Sequence, residues 1–231
     1  MPCFDIVRSV NIDDTFRVNS VKGTFDLNLD HTKEHFKGNI DIENKNWSIG
    51  LIVGGSGTGK STIAREVFGE FETFTYSAKS VVDDMPKDKT IKEIQHAFAS
   101  VGFGSPPSWL KPYSVLSNGE KMRVDLARCI LNDKDLFVFD EFTSVVNREV
   151  AKTASYAISK AIRRLNKKFI AVSCHSDIIE WLCPDWIYDT DKQSFFTQRE
   201  SSIAHKSNYE YKGLTMNSNM KFGKDLGSII I

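Results

Sequence analysis

Apolar residues recur along this chain in two rhythms. Short apolar runs at Trp47–Val53, Leu136–Phe139 and Phe169–Val172 have the length and character of buried strands. Trp186-Ile-Tyr188 is a further short run, expected as an edge strand. Between these runs, apolar positions return every three or four residues, which predicts helices over 61–68, 90–101, 118–131 and 150–165. Thr90 with Glu93 three residues on is the pairing that opens a helix with a capping box. Nearer the N-terminus Phe16, Val18, Val21, Phe25, Leu27 and Leu29 mix with polar residues in strand-like alternation. The polar stretch 30–45, with His31, His35 and Gly38, predicts a loop or hairpin. Segment 71–86 is expected to hold one or two short strands before turn residues, and the Gly/Pro-rich 102–112 only a loop.

Strands alternating with helices predict an α/β fold: a mostly parallel central sheet with flanking helices. From Asp191 the composition shifts to Ser, Asn, Lys and Thr, so the domain is expected to span 1–197. Residues 198–231 then form a polar tail, disordered or docking on a partner, with Ile229-Ile-Ile231 apolar enough to dock.

Composition narrows the class. The 231 residues suit one well-buried domain, and 41% hydrophobic with 26% charged residues is ordinary for a soluble globular protein. Thirty basic residues balance thirty acidic ones, so no global field points to nucleic acid or an anionic membrane. No apolar run approaches the roughly 20 residues of a membrane helix, so no membrane insertion is expected. Met1-Pro2-Cys3-Phe4-Asp5 lacks the order of a secretory leader. Cys3, Cys129, Cys174 and Cys183 are irregularly spaced and read as reduced thiols, which points to the cytoplasm. Cys174, His175 and Cys183 fall short of a four-ligand zinc pattern. Arg163, Arg164, Lys167 and Lys168 read as a surface cluster at a helix end rather than a DNA contact, and Trp181 and Trp186 as core.

The chemistry concentrates in two places. Gly54-Gly55-Ser56-Gly57-Thr58-Gly59-Lys60-Ser61 fits G-x-x-x-x-G-K-[ST] throughout and lies between a predicted strand and a predicted helix that begins Ser61-Thr62. Glycines let successive N–H groups turn inward on phosphate oxygens, and the helix adds the positive end of its dipole. Lys60 then supplies charge to the β- and γ-phosphates, and the Ser61 hydroxyl a ligand to Mg²⁺. The expected cofactors are ATP and Mg²⁺. The second place is the end of Leu136–Phe139, where Asp140 and Glu141 follow directly. Carboxyl ends of parallel strands are where α/β folds bind ligands. Asp140 is expected to hold the metal, through a water, and Glu141 to polarise the attacking water.

Between these motifs stands Leu116-Ser117-Asn118-Gly119-Glu120, opening the helix over 118–131. It resembles the Leu-Ser-Gly-Gly-Gln signature of ABC-type P-loop ATPases, with Asn118 and Glu120 as departures. The resemblance covers about Phe16 to Asp189 and implies the ABC fold, with an antiparallel β portion near the N-terminus and a small helical subdomain at about 88–131. It implies that Ser117–Glu120 touch ATP held by an opposite copy, in a head-to-tail, ATP-dependent homodimer. It also implies that Ser144-Val-Val-Asn147 matches the Ser-x-x-Asp loop, with Asn147 a departure, that His175 senses the γ-phosphate, and that Phe16 stacks on adenine. There is no match to the family's glutamine loop: Gln95 falls inside a predicted helix, and Asp83 or Asp84 are the nearest substitutes. The stretch from Lys60 to Ser117 is shorter than in transporter subunits. Motifs such as Ser-Pro-Pro-Ser-Trp-Leu-Lys-Pro and Asp-Glu-Phe-Thr-Ser-Val-Val look like a bacterial and phage branch, some members of which are fused to an acetyltransferase-like domain. The function implied is a soluble ATPase acting with a DNA or protein partner. The alternatives are the nucleotide-binding subunit of a membrane transporter, and a slow ATP-dependent switch.

Overall fold

The computed structural model describes residues 3–9, 12–27, 33–43 and 45–197. His31, Leu29 and the tail expected over 198–231 lie outside the described residues. The centre is a five-stranded sheet of β3 (Ile49–Val53), β4 (Leu136–Phe139), β5 (Lys168–Ser173), β6 (Trp186–Asp189) and β7 (Ser194–Thr197), in the order β4-β5-β3-β6-β7. All neighbours are parallel except β6 and β7. Trp186–Tyr188 is therefore not an edge strand: Ser194–Thr197 turns back and pairs with it, from Trp186↔Thr197 to Asp189↔Ser194.

Alternation within the buried strands feeds two cores. Ile49, Leu51, Val53, Phe137, Phe169 and Ala171 face one side, and Ile52, Val138, Ile170 and Val172 the other. Apolar residues on both faces are what a central parallel strand requires. The first side is covered by α3 (Ile91–Ser100), α5 (Asn118–Leu131), α6 (Arg148–Leu165) and α7 (Ile178–Leu182). The second is covered by α2 (Lys60–Phe68) and by an antiparallel pair, β1 (Cys3–Ser9) and β2 (Lys33–Asn39), through Ile63, Ala64, Phe4 and Ile40. Gly50 is fixed by this packing, since a Cβ there would stand 2.0 Å from the Trp186 ring.

The helix starts follow their caps. Thr90 accepts from the Glu93 N–H and Glu93 returns the bond, so the expected capping box forms. Three expectations fail for local reasons. Phe16–Phe25 is helix α1, not a strand: the Thr15 hydroxyl accepts from the Val18 N–H, and Asp26 ends the helix in a left-handed conformation. None of its residues is buried, so no sheet neighbour competes for it. Segment 71–86 forms no strand; it lies as a strap along α5, where Arg128 donates to the Thr75 carbonyl at 2.9 Å. Loop 102–112 holds a short helix, α4 (Pro106–Trp109), with Pro in its first turn and the Trp109 indole donating to the Phe103 carbonyl.

The basic cluster lies largely on the surface, and two of its members also make structural bonds. Arg163 bonds Asp185 and the Cys183 carbonyl, and Lys167 bonds the Asn132 and Lys134 carbonyls. The four cysteines are free thiols. Trp186 is buried, and Trp181 packs partly buried under Arg148. Among the described residues no helix is long and apolar enough to cross a membrane.

A candidate phosphate and metal site at the carboxyl edge of the sheet

Because β3, β4, β5 and β6 are parallel neighbours, the segments that leave their carboxyl ends meet along one edge. These are Gly54–Ser61 after β3, Asp140-Glu141 after β4, Cys174-His175 after β5 and Thr190-Asp191 after β6. The strand order thus puts His175 between the Gly54 loop and Glu141.

Helix α2 starts at Gly59, in the left-handed region at φ 81°, with no side-chain cap on its first N–H groups. A residue with a Cβ fits poorly there, since the added atom would also stand 2.4 Å from the Phe36 ring. Ser56 and Gly57 form the exposed crest of the loop, and Thr62 lies in the first turn of α2. Lys60 is only 8% exposed, and its ammonium donates to the Gly55 carbonyl at 2.5 Å, folded back over the loop. A buried cation beside uncapped amides suits an oxyanion. The Ser61 hydroxyl donates to Asp140 Oδ1 at 2.9 Å, and the same oxygen accepts the Glu141 N–H at 3.0 Å. A hydroxyl and a carboxylate are hard oxygen donors, which fit Mg²⁺.

The turn after β4 is held under tension. Glu141 and Thr143 both sit in the left-handed region, at φ 52° and 68°, unusual for any side chain and most so for β-branched Thr143. Thr143 is fully buried, and its hydroxyl has no hydrogen-bond partner among the described residues. What holds the turn is Phe142: its ring is fully buried against Phe139 and Phe169, and its N–H donates to the Val172 carbonyl at 2.8 Å. The result leaves the Glu141 side chain exposed at the sheet edge and ties it to the strand that leads to half-buried His175.

Helix α5 begins differently. The Ser117 hydroxyl accepts from the Glu120 N–H, while Glu120 Oε2 accepts from the Ser117 N–H at 3.0 Å and hydroxyl at 2.8 Å. Bonds from the Ser108 hydroxyl and from Ser117 hold the Glu120 carboxyl below its ordinary value. Asn118 bonds the Val145 carbonyl, and Gly119 packs against Val150. Asn147 caps α6 by accepting from the Val150 N–H, a bond that an aspartate would make equally well. Asp83 and Asp84 serve the strap, Asp84 accepting from the Ser77 and Ala78 N–H groups and Asp83 from the Ser80 hydroxyl. Gln95 is exposed on α3.

The aromatic ring that packs on the phosphate loop is Phe36. Phe16 opens α1 and is 87% exposed. Phe36, on β2, packs on Gly59 and lines a cavity of about 390 Å³ with Thr58, Tyr188 and Gln193. Sequence reasoning missed it because the polar stretch 30–45 reads as a loop or hairpin. It also missed Asp191 and Thr190: the Asp191 carboxylate accepts from the Gly55 N–H at 2.9 Å, and the Thr190 and Thr58 hydroxyls lie 2.6 Å apart. Their signal was their place just past an apolar strand, next to the one that feeds the Gly54 loop.

No family model matches this chain. It is 29% identical over 102 residues to the mRNA export factor elf1 of Schizosaccharomyces pombe, an alignment covering 44% of this chain and 9% of that protein. In structure it is similar to the dimeric post-hydrolysis state of the ATP-binding cassette MJ0796 bound to ADP and phosphate, with TM-score 0.59, 12% identity, and 85% and 98% of the two chains covered. It is equally similar, at TM-score 0.59 and 17% identity over 92% and 96% of the chains, to cbiO1 of Clostridium perfringens, part of the ABC transporter complex cbiONQ. The chain therefore spans a small fraction of the length of that curated relative and nearly the whole of these two structures. Its fold is that of an ATP-binding cassette.

Proposed function

We propose that this chain binds ATP·Mg²⁺ on the Gly54–Ser61 loop and hydrolyses it between two head-to-tail copies. The observation that carries the reading is the meeting of an uncapped helix start, buried Lys60 and the Ser61–Asp140 pair at one sheet edge. Backbone groups of Gly54, Gly55, Ser56, Gly57, Thr58 and Gly59, with Thr62, wrap the phosphates, while Lys60 supplies their countercharge. Phe36, rather than Phe16, serves as the platform beside the base. Ser61 and Asp140 hold Mg²⁺, which when bound supplies charge neutralisation on the phosphate oxygens. Glu141 accepts the proton of the attacking water, and His175 donates to the transferred phosphate from the adjacent strand end.

In the second copy Ser117, Asn118, Gly119 and Glu120 complete the site. Here Glu120 holds the Ser117 donors, so closure requires that carboxylate to give them up. The turnover test is Glu141→Gln: hydrolysis falls by about 10²–10⁴-fold while ATP affinity stays within twofold. Equal turnover in the variant removes Glu141 from the chemistry.

The process served is a nucleic-acid or protein transaction in the cytoplasm, a reading supported by the short stretch between Lys60 and Ser117 and by the absence of a glutamine-loop match. The likeness to cbiO1 favours a second reading, the nucleotide-binding subunit of a membrane transporter. ATPase activity stimulated by added DNA supports the first, and recovery only with a membrane fraction supports the second. The bacterial and phage branch remains a reading of the sequence motifs.

A further inference from the structure

One half-buried acid has no part in the chemistry above. Asp125 lies on α5, eight residues or about 12 Å beyond Ser117 along the helix axis. Its two oxygens take the hydroxyls of two tyrosines, Tyr76 at 2.6 Å and Tyr113 at 2.9 Å. The two rings stack face to face, with centroids 3.9 Å apart and planes 3° from parallel. Burial pushes the Asp125 carboxyl up, and burial beside that carboxylate pushes both phenols up, so the phenols stay protonated donors.

The three residues belong to three pieces of chain. Tyr76 comes from the strap that continues α2, the helix of the phosphate loop. Tyr113 opens the single tight turn Tyr113–Val115 that leads into Ser117. Asp125 fixes the body of α5. Arg128 tightens the junction by donating to the Thr75 carbonyl while lying over the Phe74 and Tyr76 rings. Removing either hydroxyl would leave a half-buried carboxylate short of a donor, so the hub favours one arrangement of its three pieces. Beside it lies a cavity of about 360 Å³ whose lining includes Asp125, Tyr76 and Tyr113 together with Phe139 and Asp140. The hub is therefore not close-packed on its cavity side, and Asp140 lines the same cavity.

We propose that the Tyr76–Asp125–Tyr113 hub is the joint through which nucleotide at the phosphate loop sets the position of Ser117, with Asp125 a positioning residue. The proposal rests on the ATP-dimer reading given above. Loading the phosphate loop moves α2 and its strap, the strap moves Tyr76, and the shared carboxylate carries the displacement to both the entry and the body of α5.

Two measurements test it. In the Glu141→Gln background, Tyr76→Phe and Asp125→Asn are expected to bind ATP·Mg²⁺ within about twofold of the parent and to weaken ATP-driven dimerisation by about tenfold. Tyr76→Phe keeps the ring stack and loses only the bond, so a purely structural role would lower Tm without moving the dimerisation constant. In addition, 3-fluorotyrosine at position 76 is expected to change its ¹⁹F shift when ATP·Mg²⁺ is added to monomer. A Glu141→Gln parent that fails to dimerise overturns the dimer reading and this proposal together. Normal dimerisation by both variants, or an unmoved ¹⁹F signal, overturns the joint alone.

Discussion

Helices α2 and α5 both begin with N–H groups that no intrahelical carbonyl can accept, and they resolve this in opposite ways. At α2 the capping position is Gly59, which has no side chain to offer, and a buried lysine stands beside the amides. At α5 the capping position is Ser117, and Glu120 closes a reciprocal box on it. The first arrangement leaves the positive helix end for an external oxyanion, and the second satisfies it with the protein's own carboxylate. Two helix starts in one domain thus differ in whether the sequence supplies its own anion.

Four substitutions break or sharpen that contrast. Lys60→Ala has the largest expected effect, because it removes a charged donor worth about 1.5–3 kcal/mol: affinity for ATP or pyrophosphate, read by titration calorimetry, falls by roughly 10–100-fold. Unchanged affinity would leave the amides alone as the anion site. Gly59→Ala comes next. It places a Cβ at φ 81° against Phe36, at a cost of about 1–3 kcal/mol seen in denaturant unfolding, and the thermal stabilisation by pyrophosphate shrinks with it. Ser117→Ala removes only a cap and costs about 1 kcal/mol, with pyrophosphate binding unmoved. If pyrophosphate binding dropped, α5 would be an open anion site after all.

Glu120→Gln has the smallest effect on stability, within about 0.5 kcal/mol, because Gln also closes a capping box. Its effect appears with pH. The Glu120 carboxyl is held below its ordinary value, so the stabilisation it gives is present above the unfolded-state value and is lost as pH falls through the folded one. The acid limb of the stability profile is therefore expected to be shallower in Glu120→Gln than in the parent. Superimposable limbs would mean that Glu120 is not held in the box in solution.

Much of this was legible in advance, and what was not has local causes. The phosphate loop, the helix at Asn118–Leu131 and the strand before Asp140 announce themselves because periodicity, capping residues and glycines agree there. Phe16–Phe25 misled because its apolar spacing fits a strand while Thr15 and Asp26 cap a helix that buries nothing. Strand β2 was hidden by its polar outer face, where only Phe36 and Gly38 are partly covered and His35 pairs with Asp5 across the ladder. That concealed Phe36, whose ring packs on Gly59 of the phosphate loop. Asp191 and the Asp125 hub depend on contacts between residues far apart in sequence, which no local pattern encodes.

The claim at the centre is that two copies share ATP across these two helix starts. The direct measurement is the mass of Glu141→Gln protein in solution, by light scattering, with and without ATP·Mg²⁺. The account predicts monomer without nucleotide and a dimer with it, and the dimer is lost in Lys60→Ala. A Glu141→Gln protein that stays strictly monomeric in saturating ATP·Mg²⁺ and still hydrolyses it contradicts the shared site.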